Sequence, residues 1–481
     1  MVDMHSRVDD DEGLKHLGYS QVLRRSLGGF NSFVVSFALM SVTTGIVLTY
    51  PVGLGSTGPR FVFWWPIVAL GTFFIALTFA NLGSRIPVTG YAYQWTSRLV
   101  NNDIGWFVGW IALVGWLAST ASIAYGTSAW VLSLLNISQT TPHVAAGATL
   151  IMLSYVILNV AGIKVLSWIS RIASPIEVLS SVVLSIILVF VWIFSKDYNS
   201  ISILTSNGNS GAFTLGGFSV AALTSLWTLQ SFEAASEFAE ETVDVRRVMP
   251  RTIIRTWATG VFTGALLMLG LTLVLPNIPD TLGADVPVLY IVKHALGEAI
   301  GPVAWAVILI AVYSCGVATM GAGTRLTFAM ARDNTLPFSK ALRQIHPRLG
   351  SPVVPSIVIG VLASAICYSA KALQVLSGVA ALAWYVVYLA ATLAALWAYR
   401  TKRIARFETG EPAFDLGRWA TPAAWIGLVW VLIAMALLTL PEGERVNAAY
   451  TGIALGVGLV WYVFRLRALF ARREAGPPVV G

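Results

Sequence analysis

Charge is what this chain has least of. Only 11% of its 481 residues are Asp, Glu, Lys or Arg, about half the share carried by soluble domains, and the mean hydropathy is +0.74. So few ionised groups cannot cover a water-facing surface, which excludes an ordinary soluble protein. Cysteine is nearly absent too. Cys315 and Cys367 both fall in apolar runs, where small thiols pack as ordinary buried groups, and two such residues make neither a disulfide framework nor a metal-ligand spacing. None of the five histidines lies deep in an apolar run, which removes a histidine proton relay. No phosphate-binding lysine loop and no nucleophile elbow occur. Gly53-Leu54-Gly55-Ser56-Thr57-Gly58 fits the glycine pattern of dinucleotide sites, but that motif needs a strand before it and a helix after it; here it follows an apolar run and is expected as an outer loop. No catalytic group, metal or bound cofactor is implied. Residues 1–27 are polar and hold an acidic run from Asp9 to Glu12, so no cleavable signal is expected and the first apolar helix should direct insertion itself.

What is there is hydrocarbon. Hydrophobic residues make up 56% of the chain. Runs near the 20 residues that span a bilayer fall at 30–53, 61–83, 104–134, 144–163, 168–194, 217–239, 251–275, 300–329, 353–370, 374–398, 420–440 and 447–466. Twelve transmembrane helices in an all-α membrane protein are the expected fold class. Lys and Arg accumulate in cytoplasmic connectors. With both termini inside, 26 of the 31 lie on the cytoplasmic side and only Arg60, Lys196, Lys293, Lys371 and Arg445 outside. A missed or extra span would scramble that partition, so it supports both the orientation and the count in a cell membrane. The basic pI of about 9.5 has the same origin: Arg246, Arg247, Arg251 and Arg255 suit an anionic inner leaflet, and no soluble basic domain is present to read nucleic acid. Asn136-Ile137-Ser138 is a formal glycosylation sequon on an outer loop, a pattern too short to weigh much.

The few polar groups inside the apolar runs are therefore the informative ones. Glu177 and Glu233 are acids within long apolar stretches, where a carboxylate is expensive and functional by default. Ser41-Val42-Thr43-Thr44-Gly45 interrupts the first span and Thr228 to Glu233 interrupts the sixth. Breaks five helices apart match an inverted pair of five-helix repeats whose broken helices face each other at the midplane. Unwound backbone in a bilayer persists only where protein or a wet cavity satisfies it, so both breaks should line one cavity. Freed amides and a half-helix N-terminus can hold a carboxylate there, and freed carbonyls with a nearby acid can hold an ammonium or an ion. Simpler roles stand beside these: close helix packing for Thr43, Thr44 and Gly45, interior packing for Trp227, and backbone hydrogen bonds for Glu233.

Four ordered motifs carry a resemblance. They are Leu17-Gly18-Tyr19 with Leu23-Arg24-Arg25; Gly83-Ser84-Arg85-Ile86-Pro87-Val88-Thr89-Gly90-Tyr91-Ala92-Tyr93-Gln94-Trp95; Ser231-Phe232-Glu233 through Glu240-Glu241-Thr242 with Met249-Pro250-Arg251; and Arg325 to Pro337. Together they resemble the amino acid, polyamine and organocation transporter superfamily, closest to its amino acid and choline transporter branch, over nearly the whole chain. The resemblance implies a 5+5 inverted-repeat fold with broken helices 1 and 6, two extra helices, and alternating access around a midplane site. It implies a substrate site at Thr43, Thr44, Gly45, Trp227, Gln230, Ser231, Glu233 and Thr319. Thr43-Thr44-Gly45 replaces the Gly-Ser-Gly of many relatives, and a threonine backbone opens less freely than glycine. Glu177 lands where some proton-coupled relatives carry a lysine whose ammonium replaces a sodium ion. Because desolvation favours a neutral carboxyl and a nearby cation an ionised one, Glu177 is the first candidate for the proton-coupling group, and Glu233 is expected against the substrate amine. The alternative for Glu177 is a pair with Arg171 or a backbone group near the cytoplasmic side.

The expected function is a permease, not an enzyme: a secondary transporter importing an amino acid or related amine, coupled to the proton gradient, with sodium as the other candidate ion. Two acids without a paired base lean toward a cationic cargo, against which Trp227 would add a cation–π contact. The alternatives are an obligate exchanger and choline- or polyamine-type cation uptake. The expected partners are a small amine-bearing substrate and the lipid bilayer. Residues 1–27 and 467–481 are expected as loosely ordered cytoplasmic tails around a transport core at 28–398 and two further helices within 399–466. Residues 85–103 are expected as a cytoplasmic segment and 277–299 as an outer segment capping the site.

Overall fold

In the computed structural model, residues 4–161, 163–195, 198, 200–206, 215–369, 373–407 and 413–478 are described. Lys196 and Lys371, two of the outer cations in the charge count, lie outside them. Every regular element among the described residues is a helix, apart from one isolated bridge between Leu27 and Thr242. This follows from the bilayer, where a segment must satisfy its own backbone.

Nine helical stretches are long and apolar enough to cross a membrane among these residues. Each of the twelve expected runs falls on helix, and the two counts differ for three local reasons. The stretch Gly29–Gly83 holds the first two runs, because helices α2 (Gly29–Met40), α3 (Val42–Thr57) and α4 (Trp64–Gly83) follow one another through a short 3-10 turn. The run at 353–370 forms a helix that counts as a shorter one, Val353–Tyr368. The run at 217–239 is split into α9 (Leu215–Ala221), α10 (Leu223–Thr228) and a 3-10 helix, Ala234–Glu241.

The remaining elements follow in order. An N-terminal helix α1 (Met4–His16) precedes α2, and α5 (Tyr91–Leu99) is a short helix in the expected 85–103 connector. Then come α6 (Asn102–Leu134), α7 (Thr141–Val160) and α8 (Ile163–Phe194), and, after the split segment, α11 (Val245–Leu273), α12 (Ile278–Gly283) and α13 (Pro287–Arg332). The chain ends with α14 (Ser339–Leu342), α15 (Val353–Ser369), α16 (Leu373–Arg400), α17 (Ala420–Leu437), α18 (Arg445–Trp461) and α19 (Arg467–Ala471). The core runs along α6, which packs on α13 and α16. There Trp116 meets Trp384 edge to face with centroids 4.5 Å apart. Outward faces stay apolar, as at Leu150, Phe190, Phe262 and Val361, which suits lipid contact rather than water.

Three expectations change. Gly53 to Thr57 are not a loop but the last turns of α3, and only Gly58, at φ +64°, leaves the helix. The glycine at 53 serves packing, since a Cβ there would press into the Phe61 ring. The N-terminal tail is docked rather than loose: Leu14, Leu17, Tyr19, Leu23 and Leu27 are buried, and Asp10 accepts the Asp244 and Val245 amides at 2.7 and 3.1 Å at the start of α11. The C-terminal tail is tied in as well, with the Gly476 amide donating to the Asp333 carbonyl at 2.8 Å.

Candidate functional site

The first break is narrower than the polar run suggested. Only Ser41 leaves the helix, at φ 29° and ψ 79°, and Val42 to Gly45 already form the first turn of α3. The second break is wider: α10 stops at Thr228, Ser231 sits at φ 62°, and regular structure resumes at Ala234. Gly45 lets the two meet, because a Cβ on it would lie 2.8 Å from that of Thr228. The Thr224 hydroxyl also donates across to the Thr49 carbonyl at 2.8 Å.

A small cavity lies between the breaks, lined by Ser41, Thr44, Gly45, Trp227, Gln230, Ser231 and Thr319 together with Leu39, Met40, Trp116, Ser119, Ile123 and Cys315. Six of the expected site residues therefore share one wall. Among the described residues, no ionisable acid or base lines it apart from the Cys315 thiol. The polar character comes from hydroxyls, one amide, two indoles and the helix ends: α3 begins at the cavity, so its N-terminal dipole faces inward, while α2 and α10 end there with their carbonyl-bearing C-termini. Trp227 Nε1 and Gln230 Oε1 are buried and have no hydrogen-bond partner among the described residues, an uncommon condition for interior polar atoms.

The three other expected residues stand behind this wall. Thr43 turns to α8, its hydroxyl 2.6 Å from that of Ser181. Glu177, fully buried on α8, accepts the Ser41 hydroxyl at 2.7 Å and has the Thr43 amide and hydroxyl beside it. Arg171, the alternative partner, donates instead to Asn31 at 2.8 Å. Glu233, expected against the substrate amine, is not on the cavity wall; it lies beside Tyr91 and accepts the Tyr388 hydroxyl at 2.9 Å. That hydroxyl accepts the Ser231 amide at 3.0 Å, so α16 braces the second break through one tyrosine.

Trp116, Ser119, Ile123 and Cys315 were not anticipated. Cys315 carried the one available hint: it lies a helical turn before Thr319, on the same face of α13, with the sulfur 3.8 Å from both the Thr319 hydroxyl and the Leu39 carbonyl. Trp116 does two jobs. Its ring lines the cavity, and its indole N–H donates to Glu237 at 3.3 Å, whose other oxygen accepts the Gly90 amide at 3.1 Å.

Toward the end of the bundle that carries both tails lie buried ion pairs and shared hydrogen bonds. Arg325 donates to Glu241 at 3.1 Å and Arg332 to Glu240 at 2.8 Å. Asp333 accepts the Tyr19 and Tyr93 hydroxyls at 2.8 and 2.9 Å.

A cavity between two broken helices fits a carrier, and sequence comparison decides which kind. The profile of the family described as amino acid permease matches residues 27–462. The chain belongs to the amino acid permease family. Among its relatives, "Amino-acid permease BAT1" of Arabidopsis thaliana is 26% identical over 95% of each chain. "GABA-specific permease" of Saccharomyces cerevisiae is 24% identical over 92% of this chain and 81% of its own. A "Putative amino acid/polyamine transporter" of Macrophomina phaseolina is 25% identical over 87% of this chain and 96% of its own. The permease is thus a multi-pass membrane transporter rather than an enzyme.

Proposed function

We propose that this permease imports a zwitterionic amino acid by alternating access, coupled to proton entry, in a membrane it crosses twelve times with both termini in the cytoplasm. The observation that carries this reading is the cavity between the two breaks. Its charge complementarity comes from helix ends: the start of α3 favours a carboxylate, and the ends of α2 and α10 favour an ammonium. With no carboxylate side chain on the wall, a neutral zwitterion suits the site better than the organic cation that two intramembrane acids suggested. The unpartnered Trp227 indole N–H and Gln230 amide oxygen supply one donor and one acceptor for the part of the cargo beyond its ionic ends. Thr44, Gly45, Ser231 and Thr319 complete the substrate wall. Glu177 and Glu233 act from behind it as proton-coupling groups.

Relatives named for amino acids and for GABA support an amine-bearing carboxylate as cargo. The lopsided basic residues support the orientation, and the ion pairs of Arg325 and Arg332 then form the cytoplasmic gate. Thermal unfolding of the purified protein against amino acids, diamines, choline and nucleobases tests the cargo class, because a ligand of the folded state raises the midpoint by mass action. Stabilisation by amino acids alone is the expected result. Stabilisation by choline or diamines and not by amino acids would overturn the zwitterion.

A further inference from the structure

From behind the cavity wall to its surface three oxygens follow one another: Glu177 Oε1, the Ser41 hydroxyl 2.7 Å from it, and the Thr44 hydroxyl 2.6 Å further on. Glu177 on α8 stands behind the wall, whereas Ser41 and Thr44 both line the cavity. Ser41 also accepts the Thr44 amide at 3.4 Å. A hydroxyl has one donor and two acceptor positions, and an ionised carboxylate accepts only. With Glu177 ionised those valences fix one arrangement of the chain, and a proton on its Oε1 allows a second.

With Glu177 ionised, Ser41 must donate to it. The acceptor positions of Ser41 are then filled by the Thr44 amide and the Thr44 hydroxyl, and Thr44 shows the cavity only lone pairs. With Glu177 protonated, its O–H donates to Ser41, Ser41 donates to Thr44, and the Thr44 proton is released toward the cavity. One proton has arrived on Glu177; the two hydroxyls have rotated without breaking an O–H bond.

We propose that Glu177, Ser41 and Thr44 form a reversible hydroxyl chain that presents a hydrogen-bond donor to the carboxylate of the cargo only when Glu177 carries a proton. The inference rests on the amino acid reading above and deepens it, naming the route by which proton and cargo sense each other. Ser41 is a positioning residue in this scheme, and Thr44 is the one that touches cargo. By linkage, cargo that uses the Thr44 donor also favours the proton on Glu177.

Beside this chain, the polar groups next to the acid are the Thr43 amide and hydroxyl and the Cys315 thiol. From α13 the facing titratable side chain is the Cys315 thiol. Helices α2, α3 and α7 carry no Asp, Glu, Lys or Arg, and the charges of α11 are Arg246, Arg247, Arg251 and Arg255 near its start. On α13, Arg325 is held by Glu241 and Arg332 by Glu240. On α8 itself, Arg171 is held by Asn31.

Two measurements test the chain separately. The first needs no cargo: infrared difference spectra of the reconstituted protein as pH is lowered, compared among wild type, Glu177→Gln and Ser41→Ala. The carboxylic C=O band of Glu177 should appear in wild type, be missing in Glu177→Gln, and shift to higher frequency in Ser41→Ala, where its O–H has lost the Ser41 acceptor. A band unmoved by Ser41→Ala, or no Glu177 band at any pH, would overturn the chain.

The second is binding of labelled L-alanine and 4-aminobutyrate across the same pH range, with putrescine as an amine that has no carboxylate. Wild-type affinity for the two carboxylates should weaken by roughly tenfold or more on passing to alkaline pH, the size of one charge-assisted hydrogen bond. Thr44→Val should hold the weak value at every pH while keeping the Glu177 band, which also serves if Ser41→Ala does not fold. A Thr44→Val protein with the wild-type pH slope would overturn the proposal. If wild type binds neither carboxylate but binds putrescine, the amino acid reading fails, and the band shift still decides whether the chain exists.

Discussion

Arg325 on α13 and Glu241 on the short helix after the second break meet at 3.1 Å, and each side chain is only 2% exposed. The guanidinium also donates to the Gly321 carbonyl and lies over the Phe238 ring. Breaking such a pair leaves a buried charge uncompensated, at a cost of about 3–5 kcal/mol. Glu241→Gln should therefore lower the unfolding midpoint clearly, and should speed labelling of Cys315 by a thiol reagent supplied from the gate side in a Cys367→Ser background. An unchanged midpoint and labelling rate would mean the pair does not hold the gate.

Gly45→Ala should abolish transport, because its new methyl meets the Thr228 side chain where the two breaks approach. Thr228→Ala removes that obstacle, so the double variant should recover part of the uptake. Equal loss in the single and double variants would show that the contact is not what Gly45 provides, since residues in contact couple and independent ones add.

Trp116→Phe keeps an aromatic ring on the cavity wall and removes the indole N–H that holds Glu237. Leaving that buried acceptor short of a donor costs about 1–3 kcal/mol. The loss falls on the link between cavity and gate, so the maximal uptake rate should drop more than the apparent affinity. A change confined to affinity would assign Trp116 to cargo contact alone.

Glu233→Gln preserves the acceptor for Tyr388 but removes the ionisable group. With that side chain behind the wall, uptake should fall severely while equilibrium binding of cargo persists. Loss of binding in step with uptake would put the carboxyl against the amine after all.

How much of this was legible in the sequence can be argued residue by residue. The second break could be read because Thr228 to Glu233 sets polar side chains and an acid into hydrocarbon, a pattern few packing roles require. The first break was read too wide: threonines at 43 and 44 look like breakers, yet they continue the helix once Ser41 alone has turned the chain. Trp116 and Ile123 are apolar residues of a long apolar helix and carry no local signal; their place on the cavity depends on how α6 packs. The N-terminal tail misled because its acids look solvated, whereas Asp10 caps α11 and pairs with Arg25 at 3.8 Å. The contacts of Asp10 with Asp244 and Val245, more than 200 positions away, leave no periodic trace.

The central claim is that the cavity between the two breaks carries an amino acid in step with a proton. Uptake of labelled L-alanine and 4-aminobutyrate into empty proteoliposomes, with the outside acid relative to the inside, tests it most directly. The account predicts accumulation above equilibrium that collapses when an ionophore dissipates the gradient and disappears in Glu177→Gln. Uptake that ignores the gradient, or that occurs only into vesicles preloaded with amine, would contradict it.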